Sequence, residues 1–349
     1  MNDRLREIFN QVEQERDHGI TSDKNSHVLI VDGLNLFIRV FSAVPALNDD
    51  GDHVGGVVGF LKSLAALIRQ VKPTRCIVVF DGKGGSRRRK DIYPDYKANR
   101  ANKTAFNRYQ EFASLTDEKE SMKRQYGRMI QYLNDLPLTL LAIDNVEADD
   151  IVAYIATDIY NQPDQRITIS STDRDFLQLV DDRINVWSPV KKVLYTPAVM
   201  KEEFGFPSNN YLLYRTIAGD PSDNIPGLKG VGIKTLIKRF PEIAGPNELD
   251  VDTLIELAEQ TEQKYKVHSI ISENRELLEL NYELMQLKSV NIDGRSKSIA
   301  RDIVLRDIQS LNAYEFKKRF MADKLYTAIK DLDSWMRDSF STLNSYASI

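Results

Sequence analysis

Nine carboxylates follow hydrophobic runs or begin helices between residues 32 and 223 of this 349-residue chain. Hydrophobic runs of this kind are typical of buried strands in a parallel sheet, whose carboxyl ends meet at one edge where ligands bind. We therefore expect the nine side chains to converge on one crevice. They are Asp32, Asp81, Glu147, Asp149, Asp150, Asp173, Asp175, Asp220 and Asp223.

So many like charges stay ionised together only if cations neutralise them. The set offers oxygen ligands alone, which favours hard ions and predicts Mg²⁺ or Mn²⁺. The four histidines are too far apart in the sequence to suggest a zinc site. Two hard ions roughly 4 Å apart suit the hydrolysis of a phosphodiester, since one would activate a water molecule and the other would stabilise the leaving oxygen.

Each acid also has a simpler explanation. Asp32 and Asp81 at strand ends could be turn or N-cap residues. Acids in the first turn after Glu147 stabilise a helix dipole without any other function, and Asp223 suits a turn. However, three acids within four positions exceed what a helix cap needs, and Asp173 is paired with a second acid two residues on. This dense pairing favours metal ligation.

A basic segment follows the predicted strand that ends at Asp81. Residues 82–104 hold eight basic groups against two acids, with aromatic residues among them and just after. A solvated loop would be the simplest explanation of the charge run taken alone. Next to a candidate metal site, however, phosphate-neutralising and base-stacking side chains predict a channel for single-stranded nucleic acid. The basic groups are Lys83, Arg87, Arg88, Arg89, Lys90, Lys97, Arg100 and Lys103, and the aromatic residues are Tyr93, Tyr96, Phe106 and Tyr109.

A glycine-rich stretch, GLKGVGIKT at 227–235, lies beyond the last acids. It differs from the ATP-binding phosphate-loop motif, because Ile233 occupies the position where that motif requires Lys and no predicted strand precedes it. A helix-hairpin-helix over 226–240 fits better, because its glycines would let backbone N–H groups approach a phosphate without reading the DNA sequence. The predicted contacts are Gly230, Gly232, Lys234 and Thr235.

The elements that position these groups alternate between strand and helix, which predicts an α/β fold with a doubly wound, mostly parallel sheet. The predicted strands are 27–32, 75–81, 138–142, 166–171 and 184–187, and the predicted helices are 34–43, 57–71, 120–135, 148–160 and 174–180. We expect an extension with a linker over 1–26, a core over 27–195, a helical region over 196–295 and a helical tail over 296–349.

Composition limits the remaining possibilities. The net charge is −4, but the nine acids account for more than this deficit, so the rest of the chain is basic. One cysteine, Cys76, predicts a buried thiol in a reducing compartment. No membrane span or signal peptide is evident in the sequence, so we expect a soluble intracellular protein.

Six motifs in order make the chain resemble the 5′-nucleases, the flap endonuclease and 5′-to-3′ exonuclease group, particularly its phage 5′-exonuclease or ribonuclease H members. The resemblance runs from about His27 to Leu287, and its motifs are VDGLN, VVFDGK, RRxxxxPDYKANR, EADD, STDRDFLQL and GDPSDNIPGLKGVGIKT. It implies a PIN-like core with a helical arch at about 83–118 through which a 5′ single strand passes. It also implies that the hairpin at 226–240 holds duplex, often with K⁺.

The resemblance further implies roles for individual residues. Asp32, Asp81, Glu147 and Asp149 match the ligands of one ion, with Asp150 shared or acting through water; Asp173, Asp175, Asp220 and Asp223 match the ligands of a second. Lys97 and Arg100 match the basic residues that contact the scissile phosphate, with Asp32 and Asp173 as catalytic acids. Tyr96 matches a base-stacking aromatic residue, and Arg88 and Arg89 begin the same DNA-binding motif.

The implied function is the removal of RNA primers and 5′ flaps in replication and repair. The implied substrates are DNA and RNA–DNA hybrid with a 5′ single-stranded flap or end. We expect a cytoplasmic monomer in a bacterium or infected cell. The sequence shows no clear clamp-binding motif, so a sliding clamp and a single-strand-binding protein stay open as partners.

Three alternative functions fit the sequence less well. A non-cleaving, branched-DNA-binding homologue would lack carboxylates, and none is missing. An aspartyl-phosphate phosphatase needs a second Asp two residues after Asp32, where Leu34 stands. A fused polymerase-exonuclease would not fit within 349 residues.

Overall fold

A six-stranded sheet forms the centre of the computed structural model, which describes residues 23–102, 106–110, 112–261 and 265–347. The strand order is β3-β2-β1-β4-β5-β6, in which only the β5–β6 pair is antiparallel. The prediction of a mostly parallel, doubly wound sheet is confirmed. The strands are β1 (His27–Asp32), β2 (Arg75–Asp81), β3 (Thr139–Ile143), β4 (Arg166–Ser170), β5 (Ile184–Ser188) and β6 (Val193–Tyr195).

Helices cover both faces of the sheet. Those within the core are α1 (Gly33–Ala43), α2 (Gly55–Val71), α3 (Arg87–Ile92), α4 (Leu115–Leu133) and α5 (Ala148–Tyr154). The helical region contains α6 (Pro197–Phe204), α7 (Tyr211–Ala218), α8 (Ile233–Arg239), α9 (Val251–Gln260), α10 (Lys266–Ser272) and α11 (Arg275–Met285). The last three helices are α12 (Gly294–Val304), α13 (Ala313–Ala322) and α14 (Leu332–Ser345).

Alternating side chains of β1 fill two separate cores, as expected for a strand covered on both faces. Val28 and Ile30 pack with α5 and the helical region, whereas Leu29 and Val31 pack with α1, α2 and α4. Because Val31 pairs with Val78 on one side and Ser170 on the other, β1 and β4 end within one residue of each other, and β2 ends two residues further on. The sheet therefore brings the residues after these strands to one edge.

The tail folds back onto the core. Phe316 and Phe340 are fully buried in the same cluster as the side chains of α1, α2 and α4. Arg319 bonds Asp135 at 2.7 Å, and Arg128 of α4 bonds the carboxylate of Asp323 at 2.7 Å. The last two helices thus complete the hydrophobic core on this face of the sheet.

Several elements differ in detail from the predictions. The helix predicted at 120–135 begins at Leu115, because Ser114 caps it through the Asp117 N–H. The helix predicted at 174–180 is a 3-10 turn over Asp175–Leu179, and the one predicted at 148–160 changes to a π-helical turn over Ile155–Ile159. The short antiparallel strand β6 was not predicted.

Cys76 is buried in β2, as predicted, and burial raises the pKa of its thiol. Within the described ranges no helix is both long and apolar enough to cross a membrane. The extension predicted at 1–26 lies outside the described residues up to position 22.

We predict that Phe340→Ala lowers the free energy of unfolding by about 3–5 kcal/mol, because a large buried ring leaves a cavity. Urea denaturation would measure it. Tyr314→Ala is the matched control in the same tail: its ring is 73% exposed, so we expect a change within about 0.5 kcal/mol. Equal effects of the two variants would contradict the packing of the tail on the core.

Candidate active site

Asp32 links the ends of two neighbouring strands. Its carboxylate accepts the Asn35 N–H at 3.1 Å, which caps α1, and the Ser171 hydroxyl at 2.9 Å. The Ser171 hydroxyl in turn accepts the Asp173 N–H at 3.0 Å. A serine directly after β4 therefore fixes the acids that follow β1 and β4 relative to each other.

A second bridge between the same strand ends was not predicted from the sequence. The Asn35 amide donates to the Thr172 hydroxyl at 2.6 Å, and its oxygen lies 2.9 Å from the same hydroxyl. Asn35 lies in the motif VDGLN and Thr172 lies in STDRDFLQL, and only the acids of these motifs were predicted to be site residues. The position of two polar side chains just after predicted strands could have indicated this bridge.

Asp81 at the end of β2 holds the beginning of α5. Its carboxylate accepts the Ala148 N–H at 2.9 Å, so this acid serves the helix that carries Glu147, Asp149 and Asp150. The capping explanation considered for Asp81 therefore has a structural basis. It also brings the acids of α5 to the sheet edge occupied by Asp32.

Burial and mutual repulsion disfavour ionisation of the central acids. Burial, followed by the charges of Asp173 and Asp81, raises the pKa of Asp32 to about 7. Burial and the charges of Asp173 and Asp32 raise the pKa of Asp149 well above its usual value. The pKa of Asp173 is also raised, first by burial. The charges of acids from β1, β2, α5 and the β4 turn thus act on one another at this edge of the sheet, while the convergence of all nine acids stays a prediction.

Asp175 and Asp220 share a buried arginine. Arg215 of α7 donates from Nε to Asp175 at 2.8 Å and from Nη2 to Asp220 at 2.7 Å. Burial, then the charge of Asp173, still raises the pKa of Asp175 to about 7. Burial opposes ionisation of Asp220 too, but hydrogen bonds from Ser222 and the charge of Arg215 lower its pKa. Arg215 was not among the predicted site residues.

Lys97 joins the two groups of acids. Its ammonium lies 2.6 Å from Glu147 and 3.9 Å from Asp223, and its N–H donates to the Asp223 carbonyl at 2.8 Å. Its backbone is left-handed, with φ of 58°. Arg100 also pairs with the Asp223 carboxylate. The structure therefore places both predicted basic residues against the acids, while their contact with a phosphate stays a prediction.

Tyr96 and Arg89 are not placed as predicted. Tyr96 is 3% exposed and packs with Leu284 and Ile225, while its hydroxyl lies 3.3 Å from both Glu147 and Asp223. A ring buried in this way has no free face for a base. Arg89 is equally buried and paired with acids. Neither side chain is available to DNA in this arrangement, so both predicted contacts are corrected.

Arg88 is partly exposed, at 24% of its side chain, and lies 3.9 Å from Asp150. The described part of the predicted arch contains α3, a 3-10 turn over Ala98–Asn102 and the beginning of α4. Asn107 connects this segment to α1, because its side-chain amide donates to the Phe41 carbonyl at 2.6 Å. Lys103 lies outside the described residues. Passage of a strand through this segment stays a prediction.

The glycine-rich loop has an open outer surface. Gly230 has φ of +86°, which favours glycine, and a Cβ at Gly230 or Gly232 would meet no atom within 4 Å. Lys234 is exposed and Thr235 is half-buried in α8, which directly follows. Asn281 of α11 holds the loop by donating to the Pro226 carbonyl at 2.7 Å. The DNA contacts of this loop stay predictions.

The donor set fits hard cations, since it consists of carboxylates. Burial and repulsion raise the pKa values of Asp32, Asp149, Asp173 and Asp175, so a compensating positive charge would favour their ionised forms. In the ranges that the structure describes, no three His, Cys, Asp or Glu side chains are grouped so that they could hold a metal ion. Basic side chains occupy several carboxylate oxygens instead. The division of the nine acids into two ligand sets therefore stays a prediction.

Comparison with known proteins identifies the family. The model of the 5′-3′ exonuclease N-terminal, resolvase-like domain matches residues 27–205, which is more than half of the chain. The chain belongs to this 5′-3′ exonuclease family. The family that the motifs indicated is thus confirmed.

Two curated relatives show the extent of the similarity. The chain is 28% identical over 302 residues to a 5′-3′ exonuclease of Aquifex aeolicus, covering 85% of this chain and 95% of that protein. It is 32% identical over 268 residues to the thermostable DNA polymerase I of Thermus thermophilus, covering 76% of this chain. The chain spans only 25–29% of the length of the DNA polymerase I relatives from Rhizobium leguminosarum and Thermus thermophilus.

A solved structure shares the fold. The bacteriophage T5 flap endonuclease, crystallised with DNA and metal ions, matches with a TM-score of 0.60 and 22% identity, covering 85% of this chain and 99% of that one. At this identity the likeness establishes the fold. It confirms the predicted fold of the core, with a doubly wound, mostly parallel sheet.

We predict that Asp149→Asn raises the melting temperature by a few degrees in EDTA. The substitution removes a charge that burial and the neighbouring acids Asp173 and Asp32 disfavour. The same variant should lose much of the stabilisation that Mn²⁺ gives the wild type. Differential scanning calorimetry with and without Mn²⁺ measures both effects. Asp158→Asn, an exposed acid nearby, should match the wild type; a lower melting temperature of Asp149→Asn in EDTA would contradict the repulsion.

Proposed function

We propose that the protein is a Mg²⁺-dependent, structure-specific 5′-nuclease that cleaves phosphodiesters at 5′ flaps and 5′ ends during DNA replication and repair. The observation that carries the proposal is the crevice at the carboxyl edge of the sheet. Acids from β1, β2, α5 and the β4 turn repel one another there, and Lys97 lies against them. Family membership supports the same activity.

The chain's own residues bind and orient the reacting phosphate in this proposal. Lys97 and Arg100 present positive charge beside the acids, where charge develops on a phosphate under attack. Ser171 holds Asp32 and the Asp173 backbone in place, so these acids need little reorganisation. Arg88 and Lys97 would pair with backbone phosphates of the 5′ strand.

Two divalent cations, Mg²⁺ or Mn²⁺, would supply an activated water and charge for the leaving oxygen when bound. We assign Asp32, Asp81, Glu147 and Asp149 to one ion, and Asp173, Asp175, Asp220 and Asp223 to the other. Burial raises the pKa values of Asp32 and Asp175 to about 7, and a nearby cation would lower them.

The substrate would be a duplex with a single-stranded 5′ flap or end, in DNA or in an RNA–DNA hybrid. The exposed Lys234 and the open surface at Gly230 and Gly232 suit the backbone of the duplex, with K⁺ as a candidate ion there. Removal of RNA primers, as by ribonuclease H, would follow from cleavage of the hybrid. A sliding clamp and a single-strand-binding protein are partners that pull-down with each would test.

Cleavage of a 5′-labelled flap duplex tests the proposal. We predict Mg²⁺-dependent cleavage near the junction that EDTA abolishes. Asp173→Asn should lower the rate by at least a thousandfold while duplex affinity stays within a few-fold. A non-cleaving, branched-DNA-binding homologue would bind the same flap without product under any metal condition. That result, or full activity of Asp173→Asn, would refute the proposal.

A second prediction addresses binding alone. Lys234→Ala should weaken duplex binding uniformly across DNA sequences and lower the slope of affinity against salt by about one phosphate contact. Fluorescence anisotropy over a range of KCl concentrations, in EDTA, measures this. Lys266→Ala, at the start of α10, removes the same charge elsewhere in the helical region. If the salt dependence of affinity is unchanged in Lys234→Ala, Lys234 beside the glycine-rich loop does not contact a DNA phosphate.

A further inference from the structure

Arg89 stands out among the basic residues of the 82–104 segment because its side chain is only 4% exposed. It lies in α3, and its guanidinium contacts two other parts of the chain. Nε donates to the Leu284 carbonyl of α11 at 2.8 Å. The terminal nitrogens bond Glu147 and Asp150 at the beginning of α5. One side chain thus connects the basic segment, the acid-bearing helix and the helical region.

The contact with Asp150 is bidentate. Nη2 lies 2.7 Å from Oδ1 and Nη1 lies 3.0 Å from Oδ2, so the planar guanidinium engages both carboxylate oxygens. This parallel geometry is specific to arginine, since a lysine ammonium cannot reproduce two donors in one plane. Asp150 is 4% exposed and buried with its partner. The carboxylate of Asp150 therefore serves as an anchor for Arg89 in this arrangement.

Glu147 is held from two sides. One carboxylate oxygen pairs with Arg89, and the other accepts from Lys97 at 2.6 Å. Burial opposes ionisation of Glu147, but the charges of Arg89 and Lys97 outweigh it and place the pKa of this carboxyl below its usual value. Arg89 is fixed by Asp150 and Leu284, whereas Lys97 belongs to a half-buried, left-handed position. Arg89 is therefore the firmer of the two supports.

We infer that Arg89 is a positioning residue that orients the Glu147 carboxylate for a divalent cation, with Asp150 as its anchor. It does not contact DNA. Through its bond to the Leu284 carbonyl, Arg89 also fixes the position of the helical region relative to the acids. The region proposed to bind duplex therefore keeps a constant position relative to the acids. The inference rests on the proposed nuclease function only for its effect on the rate; the effect on metal binding is independent of that function.

Arg89→Lys tests the inference because the charge is kept and only the planar pair is lost. We predict about tenfold weaker Mn²⁺ binding by the DNA-free protein, measured by titration calorimetry, as expected when the partner of a metal-binding carboxylate is altered. We also predict a lower kcat with KM and flap-duplex affinity in EDTA within a few-fold of the wild type. Asp150→Asn should weaken Mn²⁺ binding similarly, and the double variant should be no worse than either single variant.

Arg87→Met is the matched control, since it removes an exposed charge from the same helix. Its Mn²⁺ affinity and melting temperature should equal those of the wild type. If Arg89→Lys does not fold, Arg89→Met/Asp150→Met removes both buried charges together and should show the same loss of Mn²⁺ affinity.

Three results would overturn the inference. The first is unchanged Mn²⁺ affinity in a folded Arg89→Lys protein with a lower melting temperature, which would indicate a purely structural role. The second is a loss of flap affinity and salt slope with normal Mn²⁺ binding, which would indicate a DNA contact. The third is additive losses in the double variant with Asp150→Asn. If the wild type cleaves no flap, the nuclease proposal fails, while the Mn²⁺ titrations still decide the role of Arg89.

Discussion

Repulsion among buried carboxylates at the carboxyl edge of the sheet is the constraint on which the rest of the structure depends. Asp32, Asp149, Asp173 and Asp175 all have raised pKa values, because burial and neighbouring acids both disfavour their charged forms. A sheet covered on both faces can hold such groups together, since two large cores stabilise the strands that carry them. The tail contributes to one of these cores through Phe316 and Phe340.

Two kinds of basic side chain compensate the acids. Arg89 of α3 and Arg215 of α7 are buried arginines whose forked guanidinium groups each bond two carboxylates. Lys97 and Arg100 are more exposed and lie in the basic segment. The buried pair gives the acids fixed positions, and the more exposed pair places positive charge beside them. The crevice therefore combines rigidly held acids with more accessible basic side chains.

The features that could be predicted from the sequence are those that depend on local patterns of residues. Asp32 and Asp81 were correctly placed because a hydrophobic run ending in an acid is sufficient to indicate the end of a buried parallel strand. Tyr96 and Arg89 were placed wrongly because their burial depends on Leu284, which is almost two hundred residues away in the chain. Arg215 was missed because its burial and its bond to Asp175, forty residues earlier, depend on tertiary packing. The packing of the tail required tertiary contacts that no local pattern encodes.

Binding of divalent cations by the acids at the sheet edge can be observed by anomalous diffraction from a crystal soaked in Mn²⁺. We expect anomalous peaks among the carboxylates of Asp32, Glu147, Asp149 and Asp173, with Arg89 still paired to Asp150. If saturating Mn²⁺ gives no anomalous density in this crevice and the acids stay paired to their basic neighbours, the acids do not form a metal site.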